Sequence, residues 1–183
     1  GYLEEKLLKM PLLYPTNLGL DTLIASVQND QGNTNNSVTG YRLATSNIYS
    51  YKDPTRPIAG GIGFNGTSGD FVAKFYSGTA DSINQISVSF AGSKEKFKLG
   101  IWKANGPGGT PGTNVWTSDT LQTSPSFITP VLPPVPIQGS FYVGVSQIGT
   151  VNVAFGYQAE NPVRNKTFYY AAPMGDTAWV DFA

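Results

Sequence analysis

Histidine and cysteine are both absent from this chain. Without imidazole, no Ser-His-Asp or Cys-His nucleophile can be assembled, and no His-ligated zinc site either. Without a thiol there is neither a disulfide nor redox-active sulfur, an absence that fixes no compartment by itself. Charge is scarce too: Asp, Glu, Lys and Arg make up 13% of the chain, about half the usual share. The 12 basic and 12 acidic residues cancel, so no cationic excess exists to release counterions from a nucleic acid. The one cationic stretch, Lys94, Lys96, Lys98 and Lys103, alternates with Phe97, Leu99 and Ile101. That is the pattern of a strand with a solvated face. No run approaches the roughly 20 apolar residues of a membrane helix. The longest apolar-tinged stretch, 128–137, is broken by Pro130, Pro133, Pro134 and Pro136. Neither nucleic-acid binding nor membrane insertion is expected. A signal peptide is not visible and Gly1 stands in place of an initiator methionine, so the chain reads as a processed product or a fragment.

Aromatic residues, at 13%, are abundant, and 21 glycines and 13 prolines punctuate the chain. Segment 2–10 holds the only helical spacing, with Leu3, Leu7 and Leu8, and Pro11 and Pro15 stop it within about two turns. Residues 1–19 are therefore expected to be a linker or docking arm, and 20–183 a single β-domain. Segment 20–28 reads as a strand and 29–37 as a polar loop. Beyond Tyr41 the period is two. Phe71, Ala73 and Phe75 alternate with Val72, Lys74 and Tyr76, and Ile86, Val88 and Phe90 with Ser87 and Ser89. Phe97, Leu99 and Ile101 do so against lysines and Gly100, Phe141, Val143 and Val145 against Tyr142, Gly144 and Ser146, and Val151, Val153 and Phe155 repeat the pattern. Short alternating runs between turn signals predict antiparallel sheets with one buried face. The proline-rich 125–136 cannot sit in a central strand, so it crosses between sheets or runs along an edge. The sum is an all-β, antiparallel β-sandwich of jelly-roll type.

What chemistry remains open is narrow. Gly60-Gly61-Ile62-Gly63 lacks the Lys-Ser/Thr of a phosphate loop and reads as a bulge or tight crossing. Ser–Lys chemistry stays formally open. A glycosidase needs two acids about 5 to 9.5 Å apart across a cleft. The four glutamates are Glu4, Glu5, Glu95 and Glu160, two of them in the arm, while Asp70, Asp81, Asp119 and Asp176 adjoin turns or strand starts. Asp is favoured there for local hydrogen bonding. The chain is thus not expected to be an enzyme, with a carboxylate glycosidase as the remote alternative. Calcium is the one cofactor left open, with Asp30 and Asn33 in an Asn-rich loop as its weak candidates against a plain solvated turn. Trp102, Trp116, Tyr169, Tyr170 and Trp179 could stack on a glycan, or fill core edges as aromatics in sandwiches do.

The order of motifs in the second half adds direction. Phe97-x-Leu99-Gly100-Ile101-Trp102, a Gly/Pro loop through Pro111-Gly112, and Val115-Trp116-Thr117-Ser118 are followed by Gly139-Ser140-Phe141-Tyr142-Val143-Gly144-Val145, then Val153-Ala154-Phe155-Gly156-Tyr157, Phe168-Tyr169-Tyr170 and Trp179. With Gly61-Ile62-Gly63-Phe64 and Phe71 to Phe75 ahead of them, they resemble β-sandwich accessory modules of secreted or cell-surface Bacteroidota proteins exported by the type IX route. The resemblance covers about 59–182 and implies an extracellular or cell-surface location. Such modules run on past the last Trp into a final strand, whereas this chain stops at Ala183. Asp21-Thr22-Leu23, Asp81-Ser82-Ile83, Asp119-Thr120-Leu121 and Asp176-Thr177-Ala178 resemble the O-glycosylation signal of such exported proteins. That implies Thr22, Ser82, Thr120 and Thr177 as acceptors, and its alternative is an ordinary strand-entry turn. The function expected is a non-catalytic structural or interaction module, an adhesin being one such role, whose partners are neighbouring domains or surface proteins. A carbohydrate-binding module is the alternative, with glycans as the partner.

Overall fold

The structure is a computed structural model, and it describes residues 17–26, 36–53, 55–92, 94–160 and 163–183. The helix expected over 2–10, most of the 29–37 loop, and the calcium candidates Asp30 and Asn33 lie outside the described residues. The chain packs as two compact units, Gly1–Thr55 and Arg56–Ala183.

In the first unit, β1 (Gly19–Ser26) and β2 (Ser37–Ala44) form an antiparallel ribbon, registered from Gly19 opposite Ala44 to Ser26 opposite Ser37. Asp21 stands across from Arg42 in this register.

The second unit is built from β3 (Gly60–Ile62), β4 (Gly69–Ser89), β5 (Lys96–Lys103), β6 (Asn114–Thr117), β7 (Leu121–Gln122), β8 (Ser126–Gln147), β9 (Phe155–Tyr157), β10 (Phe168–Ala171) and β11 (Val180–Asp181). One seven-stranded sheet runs β11-β10-β4-β8-β5-β6, with β7 also on β5, and β3 pairs β9 separately. Every pairing is antiparallel. The chain is all-β, as alternation predicts.

Two pairs of runs that look separate in the sequence are halves of single strands. Phe71–Phe75 and Ile86–Val88 both belong to β4, and the proline-rich stretch and Phe141–Val145 both belong to β8. Between the halves the β4–β8 register shifts, from Ser77 opposite Gly139 to Asp81 opposite Ile137. Gly139 sits there at φ 73°, a backbone conformation open to glycine and costly for other residues. The break lets the ribbon bend. Its far half then supplies Ile83, Ile86, Val131, Val135 and Ile137 to the same core as Phe97, Leu99, Ile101, Phe141 and Val145 of the near half and β5. The ring centres of Phe90 and Phe97 meet 4.6 Å apart. Burying such side chains stabilises the fold by about 1.5–3 kcal/mol each.

The prolines lie where a sheet tolerates them. Residues Ser126 to Ile137 of β8 pair with β4, while β5 pairs only with Phe141 to Gln147, so the proline-bearing half is an edge that needs no outward N–H. Two expectations are corrected. Val151 to Phe155 is not a strand: the Asn152 side chain accepts the Ala154 N–H at 2.7 Å and Ala154 adopts φ 52°, so strand β9 starts only at Phe155. Nor is one face of the sheet solvated throughout. Val72, Trp102, Tyr142 and Tyr169 form a second buried cluster on the side opposite the main core.

Candidate functional site

The second cluster gathers Trp102, Tyr169 and Trp179 of the aromatics expected to stack on sugars. Gly100 makes this possible: the Trp102 ring lies over it so closely that a Cβ there would stand 2.3 Å from the indole. Trp179 meets Trp102 edge-on at 6.3 Å, and Tyr169 meets Tyr142 edge-on at 5.8 Å. Both are favourable arrangements of ring quadrupoles. The Gly/Pro loop after β5 closes over this side. Tyr142, fully buried, donates its hydroxyl to the Gly109 carbonyl at 2.6 Å. Asn105 holds the loop's base, accepting the Thr113 N–H at 2.8 Å and donating to the Thr113 hydroxyl at 3.0 Å. Lys74 Nζ stands 5.8 Å from the centre of the Tyr142 ring. Burial first, and the Asp181 carboxylate second, push the Tyr169 phenol above its ordinary value. Trp102 and Tyr169 are each only 7% exposed, so their faces are occupied by protein and only the half-buried Trp179 keeps part of its ring open.

Trp116 is elsewhere. It lies on β6 opposite Ile101 and packs half-buried against the main core.

Tyr170 turns to the other face of the sheet, because successive residues of a strand alternate. There it lines an open groove of about 420 Å³ with Ile62, Gly63, Phe64, Phe71, Asp181 and Phe182. Phe64 stacks on Phe71 at 4.6 Å, and Tyr170 meets Phe182 edge-on at 4.9 Å. Asp181 pairs with Tyr169 in the ladder, which places its side chain on the face opposite Tyr170. Its carboxylate accepts the Lys166 and Ala183 N–H groups at 2.7 and 3.2 Å. Four aromatic rings, Phe64, Phe71, Tyr170 and Phe182, thus dominate the side chains of the groove, with Asp181 at its margin. Phe64 and Phe182 escape sequence reasoning: each belongs to no alternating run, and only the pairing of β10 with β4 and β11 brings them beside Tyr170.

The four acceptor candidates Thr22, Ser82, Thr120 and Thr177 are all exposed. In two of their signals the preceding Asp caps the local backbone: Asp81 accepts the Ser82 N–H at 2.7 Å and Asp176 the Ala178 N–H at 2.9 Å. Asp53 likewise accepts the Thr55 N–H at 2.8 Å, and Glu160 pairs with Arg164 at 2.9 Å. Asp70 is buried beneath the 172–176 turn, with Ser146 and Gly175 as its donors. Among the described residues no cluster of three or more acids stands where it could hold a metal ion, and no helix is long and apolar enough to cross a membrane. The chain also contains one Ser-x-x-Lys, Ser93 to Lys96, the spacing that some acyl-transfer enzymes use. Ser93 lies outside the described residues and Lys96 is exposed at the start of β5.

No protein-family model, curated protein or solved structure matches this chain.

Proposed function

We propose that the chain is a non-catalytic module of a larger secreted or cell-surface bacterial protein, acting as a structural or interaction domain such as part of an adhesin. The observation that carries this reading is the placement of its acids. In a chain without imidazole or thiol, carboxylates are the main groups left for catalysis. Asp53, Asp81, Asp176 and Asp181 serve neighbouring backbone N–H groups, and Glu160 serves Arg164. A sparsely charged exterior of zero net formal charge, with exposed Thr22, Ser82, Thr120 and Thr177, fits the resemblance to exported Bacteroidota modules and their O-glycosylation. The test is made on intact source cells. External protease is expected to remove the protein while a cytosolic marker survives, and the native mass is expected to exceed that of the bare chain by added hexoses. A protein shielded from the protease would sink the surface reading, and an unmodified native mass would remove the glycosylation.

The carbohydrate-binding reading retains support from one feature, the groove holding Tyr170. Flat rings there present apolar faces of the kind that sugar C–H groups pack against. On a glycan array, specific retention should be lost in Tyr170→Ala and kept in Trp116→Ala, because Trp116 packs on the core away from the groove. No retention by the unaltered protein, or retention that survives Tyr170→Ala, would end this alternative.

A further inference from the structure

Asp70 has a role that module function does not account for. It lies near the start of β4, between Ser146 of β8 and Ala171 of β10 in the ladder, and is 3% exposed. An ionised carboxylate offers about four acceptor sites. Here it receives two donors: the Ser146 hydroxyl reaches Oδ1, and the Gly175 N–H reaches Oδ2 at 2.7 Å. The second bond matters for the fold's exterior. Gly175 belongs to the tight turn 172–176, closed internally by the Asp176 N–H on the Pro173 carbonyl at 3.0 Å. That turn is tied to β4 through Asp70 and to the residue just ahead of the strand, Ser68. The Met174 N–H donates to the Ser68 hydroxyl at 3.1 Å, and the Gly175 N–H to Asp70.

Among the described residues, the charged and titratable groups disposed around Asp70 do not include a cation bonded to it. Ser146 faces it from β8, with Lys98 of β5 one strand further in the same register row. Lys74 stands two residues beyond Val72 on β4's same face, Tyr169 is on β10, Asp181 on β11, and Asp176 is in the turn itself. We propose that Asp70 is a protonation-controlled latch, whose neutral form holds the 172–176 turn against β4 and whose ionisation releases it. A neutral Asp70 keeps both bonds: the Ser146 hydroxyl swings round to accept from the protonated Oδ1, while Oδ2 goes on accepting the Gly175 N–H. An ionised Asp70 is a desolvated charge with two donors and no paired cation, which water would stabilise once the turn lifts. Burial indeed pushes the Asp70 carboxyl above its ordinary value, against the opposing pull of the Gly175 and Ser146 hydrogen bonds.

The sign follows. The closed turn binds the proton more tightly than the open one, so closure is fully favoured below the ordinary carboxylate range and is lost as pH rises through the raised value. The consequence reaches the aromatic side, since the turn leads directly into Thr177 and Trp179, and Trp179 packs on Trp102.

Amide exchange of Gly175 and Met174, corrected for the intrinsic pH dependence of exchange, tests the latch on the full chain. Protection should fall as pH rises in the unaltered protein and stay flat in Asp70→Asn. Direct carbon-13 titration of the Asp70 carboxyl guards against a variant that fails to fold, and its midpoint should lie above the ordinary carboxylate range. Ser146→Ala removes a donor to the ionised form and should move that midpoint further up. Protection that is independent of pH or that rises with it, a midpoint at or below the ordinary range, or a downward shift in Ser146→Ala would each overturn the latch.

Discussion

Gln147→Leu is expected to destabilise the protein by roughly 3–5 kcal/mol, the range reached when several buried polar groups lose their partners together. Gln147 is fully buried, and its amide is used from both ends. Oε1 accepts the Phe64 N–H at 2.9 Å and the Val153 N–H at 3.4 Å. Nε2 donates to the carbonyls of Phe64, Thr67 and Gly149 at 2.8, 3.0 and 2.9 Å. One side chain at the end of β8 thus ties the 63–67 loop to the 148–153 loop. Leucine of similar size fills the space and satisfies none of these groups. Some would recover water by opening the loops, which is why the expected loss is less than five separate penalties. Gln147→Glu should be about as damaging, because a carboxylate would face three carbonyl oxygens where an amide donates. Urea unfolding measures both, and a midpoint shift worth less than about 1 kcal/mol in Gln147→Leu would show that the staple is dispensable. A typical domain has about 5–15 kcal/mol in hand, so the variant would sit close to unfolding.

The second large effect is expected at Gly144. A Cβ there would stand 2.0 Å from the Phe71 carbonyl oxygen and 2.8 Å from the Val72 Cα. Both are backbone atoms of β4, the strand paired with β10 on its other side, and β8 is itself flanked by β5. Neither neighbour can retreat without breaking a ladder. Gly144→Ala should therefore cost about 3 kcal/mol, the upper part of the usual range for overpacking. Gly149→Ala is the control: nothing lies within 4 Å of its Cβ position, and the change should stay within about 0.5 kcal/mol. Equal midpoints for the two alanine variants would refute the crowding argument.

Alternation carried the three long strands of the main sheet, β4, β5 and β8, into view because burial on a pleated surface imposes a period of two, while the two- to four-residue β6, β7, β10 and β11 are too short to show it. It could not reveal that β4 and β8 each contain two such runs. The bend at Ser77–Asp81 is made by a register shift, and register belongs to a pair of strands, which a single strand's sequence does not contain. The same limit hides the strand order and any jelly-roll wiring. Val151 to Phe155 shows the opposite failure: the pattern is present, but Gln147 and Asn152 claim the backbone N–H groups of Val153 and Ala154. Side-chain competition of this sort overrides periodicity.

The candidate aromatics divide along similar lines. Residue type singled out the large rings, yet which face of the sheet each would meet depended on what covered that face. Trp102 and Tyr169 sit on the outer side, and the loop anchored by Tyr142 on Gly109 buries them there. Tyr170, one residue along, falls in the open groove. Gln147 was invisible for a different reason: it continues the buried phase of Phe141, Val143 and Val145, but a polar side chain there signals only the end of an apolar run, and its partners at Phe64 and Thr67 are 83 and 80 positions away.

The prolines of β8 have one more effect. Pro130, Pro133, Pro134 and Pro136 leave the outer margin of that strand with long gaps in its supply of N–H donors, and a foreign strand cannot zip onto an edge that does not donate. Copies crowded side by side would thus meet along this margin without templating fibrils from one another, a form of colloidal protection that involves neither charge nor disulfide.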